Sequence, residues 1–107
     1  MDVFLENPVK VNTFPEEVPE NGFQLFQNYP NPFNSGTSIT YTISQGSQVR
    51  FIIYDLLGQK VADLVDSVQM PGTYNITFNS RHLSSGLYFY QLKVNELLLT
   101  RKMLLTN

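Results

Sequence analysis

The chain has 107 residues, 42% of them hydrophobic and only 15% charged, a composition suited to one folded domain with one modest core. Its net charge is -2 and its seven Lys and Arg are dispersed, which leaves no basic footprint for nucleic acid. No apolar run approaches the roughly 20 residues of a membrane helix, and the absence of cysteine removes disulfide, thiolate and cysteine-zinc chemistry together.

In chain order, residues 1–22 carry Pro8, Pro15 and Pro19 among Glu16, Glu17 and Glu20 and keep no sustained period, so they read as a largely extended or mobile linker. Val9-Lys10-Val11 is at most a short edge strand. The opening residues lack the basic start and apolar stretch of a signal peptide. From Phe23 the pattern alternates, and residues 23–28 form a first strand that runs into Asn28-Tyr29-Pro30-Asn31-Pro32-Phe33-Asn34. Two prolines one residue apart supply no backbone donors and exclude this heptad from a central strand, so it reads as a rigid connector. Tyr29 and Phe33 are expected to pack like pegs against the domain, and Asn28, Asn31 and Asn34 to bond nearby backbone.

Residues 37–43 place Ile39, Tyr41 and Ile43 on one side and Ser38, Thr40 and Thr42 on the other, a half-buried strand. Residues 48–55 follow with Val49, Phe51 and Ile53 inward, while Ile52 and Tyr54 make the opposite face unusually apolar. Gly58 suits a positive φ in the turn before residues 60–66, and a hairpin results. Val61, Leu64 and Val65 also fit a helical spacing, but the segment is too short for a stable helix and is assigned as a strand. Tyr74, Ile76 and Phe78 alternate with Thr73, Asn75 and Thr77; residues 79–85 are polar and irregular. Residues 86–94 set Tyr88, Tyr90, Leu92 and Val94 inward, and Asn95-Glu96 turns into a final strand over 97–106. About seven strands, regularly spaced and without a long helix, predict an all-β fold, an immunoglobulin-like antiparallel sandwich over residues 23–107. Tyr88, at the start of the penultimate strand, has the position of a tyrosine corner, with a hydroxyl expected on upstream backbone.

Reactive chemistry finds little support. The one histidine, His82, sits in a polar loop without a nucleophile elbow. Asp55, Asp63 and Asp66 flank a hairpin, yet their spacing does not wrap a calcium ion. The six glycines fall singly at turns, so no phosphate cradle is present. No catalytic, metal or cofactor-binding residue is assigned. Phe26, Tyr54 and Phe89 lie off the core phase and are the candidate platforms for a carbohydrate-binding or adhesion module of a secreted enzyme.

Taken together, Phe23-Gln24-Leu25-Phe26-Gln27, the heptad 28–34, Ile39-Thr40-Tyr41, residues 49–58, Leu64-Val65, Gly72-Thr73-Tyr74, residues 83–90 and Thr100-Arg101-Lys102-Met103-Leu104-Leu105 resemble the type A C-terminal sorting domain of the type IX (Por) secretion system. The likeness covers residues 23–107, with Ser35-Gly36 where the family often carries proline and serine. It implies a non-catalytic module at the end of a larger exported protein, read by outer-membrane secretion machinery after passage to the periplasm. In some members a sortase-like protease cuts the preceding linker and the cargo is attached to surface lipopolysaccharide; here the cut is expected between about Thr13 and Phe23. The residues implied in recognition are Asn28, Tyr29, Pro30, Asn31, Pro32, Phe33, Asn34, Gly58, Gly86, Tyr88, Arg101, Lys102, Met103 and Leu104. Arg101-Lys102 reads equally as charge that blunts an exposed strand edge. A structural spacer, resembling the immunoglobulin-like domain of flagellar hook-capping proteins, is a third reading.

Overall fold

The computed structural model describes residues 22–106. The linker assigned to residues 1–22, with its short edge strand and cleavage region, lies outside the described residues except for Gly22. Seven strands are present among the described residues: β1 (Gln24–Leu25), β2 (Gly36–Ile43), β3 (Ser47–Tyr54), β4 (Lys60–Gln69), β5 (Gly72–Asn79), β6 (Gly86–Val94) and β7 (Leu97–Leu105). They form a three-stranded sheet of order β1-β2-β5 and a four-stranded sheet of order β4-β3-β6-β7, every strand pair antiparallel. The expected sandwich is therefore the observed one.

Alternation makes this packing possible. Ile39, Tyr41 and Ile43 on β2 and Val49, Phe51 and Ile53 on β3 are buried, as are Tyr88, Tyr90, Leu92 and Val94 on β6. Fully burying each such side chain contributes about 1.5–3 kcal/mol, which offsets the ordering of the strands that carry them. Across the middle of the core four rings stack in sequence, Tyr74 on Tyr41 at 5.4 Å, Tyr41 on Phe51 at 5.9 Å and Phe51 on Tyr90 at 5.8 Å. This column ties β5 and β2 of one sheet to β3 and β6 of the other.

β4 departs from simple alternation. Its register with β3 shifts between Phe51 and Ile52 and again between Ile53 and Tyr54, so Leu64 and Val61 are the extra residues of two bulges. Val61, Ala62, Leu64 and Val65 all end partly buried, which explains the helical spacing read there.

The pairing registers give the sandwich two distinct ends. Residues 44–46, 70–71 and 95–96 turn at one end, beside which the chain enters at Gly22 and Phe23. At the other lie residues 55–59 and 80–85, the end of β7, and the proline heptad.

Candidate functional site

The heptad is a strap between the two sheets. Its first half lies along β2: Tyr29 N–H donates to the Ser38 carbonyl (2.9 Å) and Ser38 N–H returns a bond to the Tyr29 carbonyl (2.8 Å). Its second half lies along β7 of the opposite sheet, where Phe33 N–H donates to the Leu104 carbonyl (3.0 Å) and Thr106 N–H donates to the Phe33 carbonyl (2.7 Å). Asn31 Oδ1 accepts the Leu104 N–H at 3.0 Å. Both prolyl bonds, Tyr29-Pro30 and Asn31-Pro32, are cis.

Two residues of the strap pack inward, Asn28 and Phe33, and the others are exposed. Phe33 is 2% exposed and serves as the expected peg, but Tyr29 is 80% exposed and does not. The reason is phase: once Tyr29 is paired to Ser38, it is Asn28, its neighbour, that points inward. Asn28 is buried and fully bonded. Its N–H donates to Tyr90 Oη (2.8 Å), its Nδ2 donates to the Pro30 carbonyl and to Thr37 Oγ1 (both 3.0 Å), and its Oδ1 accepts from Gln27 Nε2 (2.7 Å). Asn31 bonds β7 instead of its own turn, and Asn34 lies exposed.

Tyr90 is the residue that sequence reasoning classed only as core. Its hydroxyl donates to the Phe26 carbonyl and accepts from Asn28 N–H, both at 2.8 Å, so one buried phenol holds the start of the strap from the opposite sheet. Burial pushes its pKa up to about 12. Tyr88 is the corner tyrosine expected, donating to the Ser84 carbonyl at 2.7 Å.

The terminal strand completes the site. Met103 and Leu105 are buried, and Leu104 and Lys102 face out. Arg101 does not stand beside Lys102 on the surface: it shares the inward phase of Met103, and its Nε donates across the sheets to the Leu25 carbonyl at 2.7 Å. Gln27 Nε2 donates to the Lys102 carbonyl at 2.8 Å. Gly86 pairs with Leu105 and Tyr88 with Met103, so the heptad, both β6 residues and residues 102–104 converge on one end of the sandwich. Gly58, in the turn after β3 at φ 84°, lies at the same end of the four-stranded sheet.

A family model described as a secretion system C-terminal sorting domain matches residues 27–106, the strap and all that follows it. The chain belongs to that family. A search of curated proteins finds no match. Membership makes this a sorting signal of the type IX system and implies export of the protein that carries it to the cell surface or beyond. Among the described residues of the sorting domain no helix is long and apolar enough to cross a membrane.

The outer faces of the two sheets differ. On the three-stranded sheet, Ser38 Oγ donates to Asn75 Oδ1 (2.9 Å) and Asn75 Nδ2 donates to Thr40 Oγ1 (2.8 Å), a hydroxyl and amide ladder. On the four-stranded sheet, Tyr54 pairs with Phe89 and Phe89 with Lys102, while Ile52 pairs with Gln91 and Gln91 with Thr100. Shallow depressions lined by Tyr54, Phe89, Gln91, Thr100 and Lys102 lie along this face. Of the three aromatic platforms expected, Tyr54 and Phe89 are neighbours, while Phe26 lies beside Thr40 on the other sheet.

The acids named for calcium have separate tasks. Asp55 Oδ1 accepts the N–H groups of Leu57 and Gln59, both at 2.9 Å, and shapes the turn. Asp63 accepts from Arg50 at 2.8 Å and Lys60 at 3.4 Å; the Arg50 hydrogen bond is the main cause that holds its pKa below the ordinary value. Asp66 accepts from Gln48. Among the described residues no three His, Cys, Asp or Glu side chains are grouped to hold a metal. His82 is exposed in its loop.

Proposed function

We propose that this sorting domain is a non-catalytic address at the C-terminal end of a larger exported protein, and that the outer-membrane machinery reads its strap end. The observation that carries this is the clamping of the terminal strand by the NYPNPFN strap, through Phe33 on Leu104 and Thr106 and through Asn31 on Leu104. The motif thereby holds Lys102 and Leu104 outward in one fixed geometry. The chain enters beside the 44–46 turn, at the opposite end, so cargo joined there leaves the strap end accessible.

On this reading the linker over residues 1–22 tethers the cargo, and a sortase-like protease cuts it between about Thr13 and Phe23 before surface attachment. Mass spectrometry of the released domain reports that cut.

The test of recognition is a reporter fused before Phe23 in hosts with and without type IX machinery. Deleting residues 102–107 would also remove Met103 and Leu105 from the core, and Arg101→Ala would break the bond to Leu25. The informative variant is therefore Lys102→Ala with Leu104→Ala, both exposed side chains. Export should fall at least about tenfold while the thermal transition of the purified domain stays in place. Unchanged export would sink the surface reading.

A carbohydrate-binding reading draws on the cross-strand neighbours Tyr54 and Phe89 alone, which line one depression with Gln91 and Thr100. Titrating the isolated domain with oligosaccharides separates the two: glycan binding abolished by Phe89→Ala with export intact would favour this second reading.

A further inference from the structure

β7 is an edge strand, and only part of its edge is covered. β6 and β7 are joined by the turn Asn95-Glu96, so Val94 and Leu97 form the first hydrogen-bonded pair. Bonded pairs recur at every second residue, which leaves the N–H and C=O groups of Leu98, Thr100, Lys102 and Leu104 directed away from β6. Known bonds agree with this parity: Leu104 meets Phe33 and Asn31, and the Lys102 carbonyl meets Gln27. Beyond the strap no other strand pairs with Leu98 or Thr100 among the described residues, and both are exposed.

We propose that the stretch Leu98 to Lys102, whose Lys102 carbonyl accepts from Gln27 and keeps a second lone pair for a partner, is a self-complementary edge that pairs with the same stretch of a second copy, antiparallel about a two-fold axis at Thr100. In that register Thr100 lies opposite Thr100 of the second copy, and each Leu98 lies opposite the other copy's Lys102. No like charges face one another. Glu96 is the next residue along from Leu98 on the same outer face, beside Lys93 and Leu98. It falls diagonally across from Lys102 of the second copy, within reach of a long side chain, so two reciprocal ion pairs fix the register. The Lys102 stem covers Leu98, which is 53% exposed in the single chain.

The strap supports the same occupant. It covers the edge only from Leu104 onward, the point at which the second copy's strand would reach its turn at Glu96 and leave the interface. The edge thus already accepts added backbone on one half and presents a matching length on the other. The other outer edges lack these features: β4 is bulged twice, and β5 carries no charged side chain to select a register. The product is a continuous eight-stranded sheet made from two four-stranded ones.

About five residues per copy is a small contact, so the dimer is a weak one, with a dissociation constant on the order of 100 μM. Sedimentation of the 107-residue chain across concentrations should show monomer–dimer exchange. Thr100→Lys sets two ammonium groups face to face without touching a bond to β6, and should weaken dimerisation at least tenfold, less so in high salt. Glu96→Lys and Lys102→Glu should each weaken it, and the double variant Glu96→Lys with Lys102→Glu should restore it. Thr40→Lys, on the other sheet's outer face, should leave it unchanged. A monomer at every concentration up to about 1 mM would overturn the proposal, as would a dimer indifferent to Thr100→Lys. Slow hydrogen exchange of the Thr100 and Lys102 amides in a dilute, purely monomeric sample would also overturn it, because another part of the same chain would then occupy the edge.

Discussion

At the turn end of the sandwich three connections are short and, apart from the 3.3 Å bond from Asn95 N–H to the Gln48 carbonyl, make few long-range bonds, and their apolar residues, such as Met70 at 66% exposed, contribute little to the core. At the strap end one proline-rich segment crosses between sheets, and its bonds join residues more than sixty positions apart, Asn28 to Tyr90 and Asn31 to Leu104. The difference teaches where cooperativity lies. A turn with local bonds can be altered without disturbing the sheets, whereas the strap makes the terminal strand depend on residues near the start of the domain. The outward residue Leu104 is likewise positioned by a motif far from it in the chain.

The largest effect expected is that of Phe33→Ala. It removes a ring 2% exposed and the packing that seats the strap on β7, and should cost about 3–5 kcal/mol in a urea denaturation. Met70→Ala at the other end should cost no more than about 0.5 kcal/mol. Comparable losses would erase the contrast between the two ends. Next comes Tyr90→Phe, which keeps the ring stack but leaves the Phe26 carbonyl and the Asn28 N–H without their partner. About 2 kcal/mol is expected. The same hydroxyl gives a pH test. Its pKa is raised from 10.0 to about 12 in the fold, so its contribution is fully present below pH 10 and is lost as pH rises through 12. Alkaline unfolding should therefore be shallower in Tyr90→Phe. Tyr41, also raised mainly by burial, acts in the same direction.

Much of this architecture is legible in the sequence. Period-two alternation located the strands and the inward sets of β2, β3 and β6, and the Tyr88 corner followed from its position alone. β4 was ambiguous because its two bulges give Val61, Leu64 and Val65 a three-to-four-residue spacing, a pattern that belongs to neither ideal strand nor helix. The aromatic character of Tyr29 suggests an inward peg, but its pairing with Ser38 decides its phase, and that pairing is not marked in the local sequence. The inward direction of Arg101 could have been read from Met103 and Leu105, two and four residues on. The Asn28–Tyr90 bond could not, since nothing local marks which buried hydroxyl meets which strap residue. A second tyrosine on the inward set of β6, two residues after the corner Tyr88, is the available hint that a polar partner exists.

Smaller effects sharpen the comparison between the ends. Gly58, at φ 84° in the Asp55 turn, has nothing within 4 Å of where a side-chain carbon would sit, so Gly58→Ala should cost only the left-handed backbone penalty of about 1 kcal/mol. Asn95, at φ 54° in the turn end's β6–β7 connection, is a residue type that tolerates this region. Asn95→Gly should stay within about 0.5 kcal/mol of the parent.

The smallest effect expected is at the outer face of the four-stranded sheet, in the Arg50–Asp63–Lys60 cluster. Both partners of the 2.8 Å Arg50–Asp63 pair are partly exposed, and solvent screens much of what their charges gain. The pair nevertheless leaves a trace in pH. Because the Arg50 hydrogen bond depresses the Asp63 pKa in the fold, its contribution is present above the ordinary carboxylate value of 3.8 and is lost as pH falls through the depressed one. Thermal unfolding of the parent and of Asp63→Asn should therefore differ slightly at neutral pH and converge in acid, and the difference should shrink in salt. A gap that persists below the depressed value would mean that Asp63 acts through packing at the β4 bulge and not through its charge.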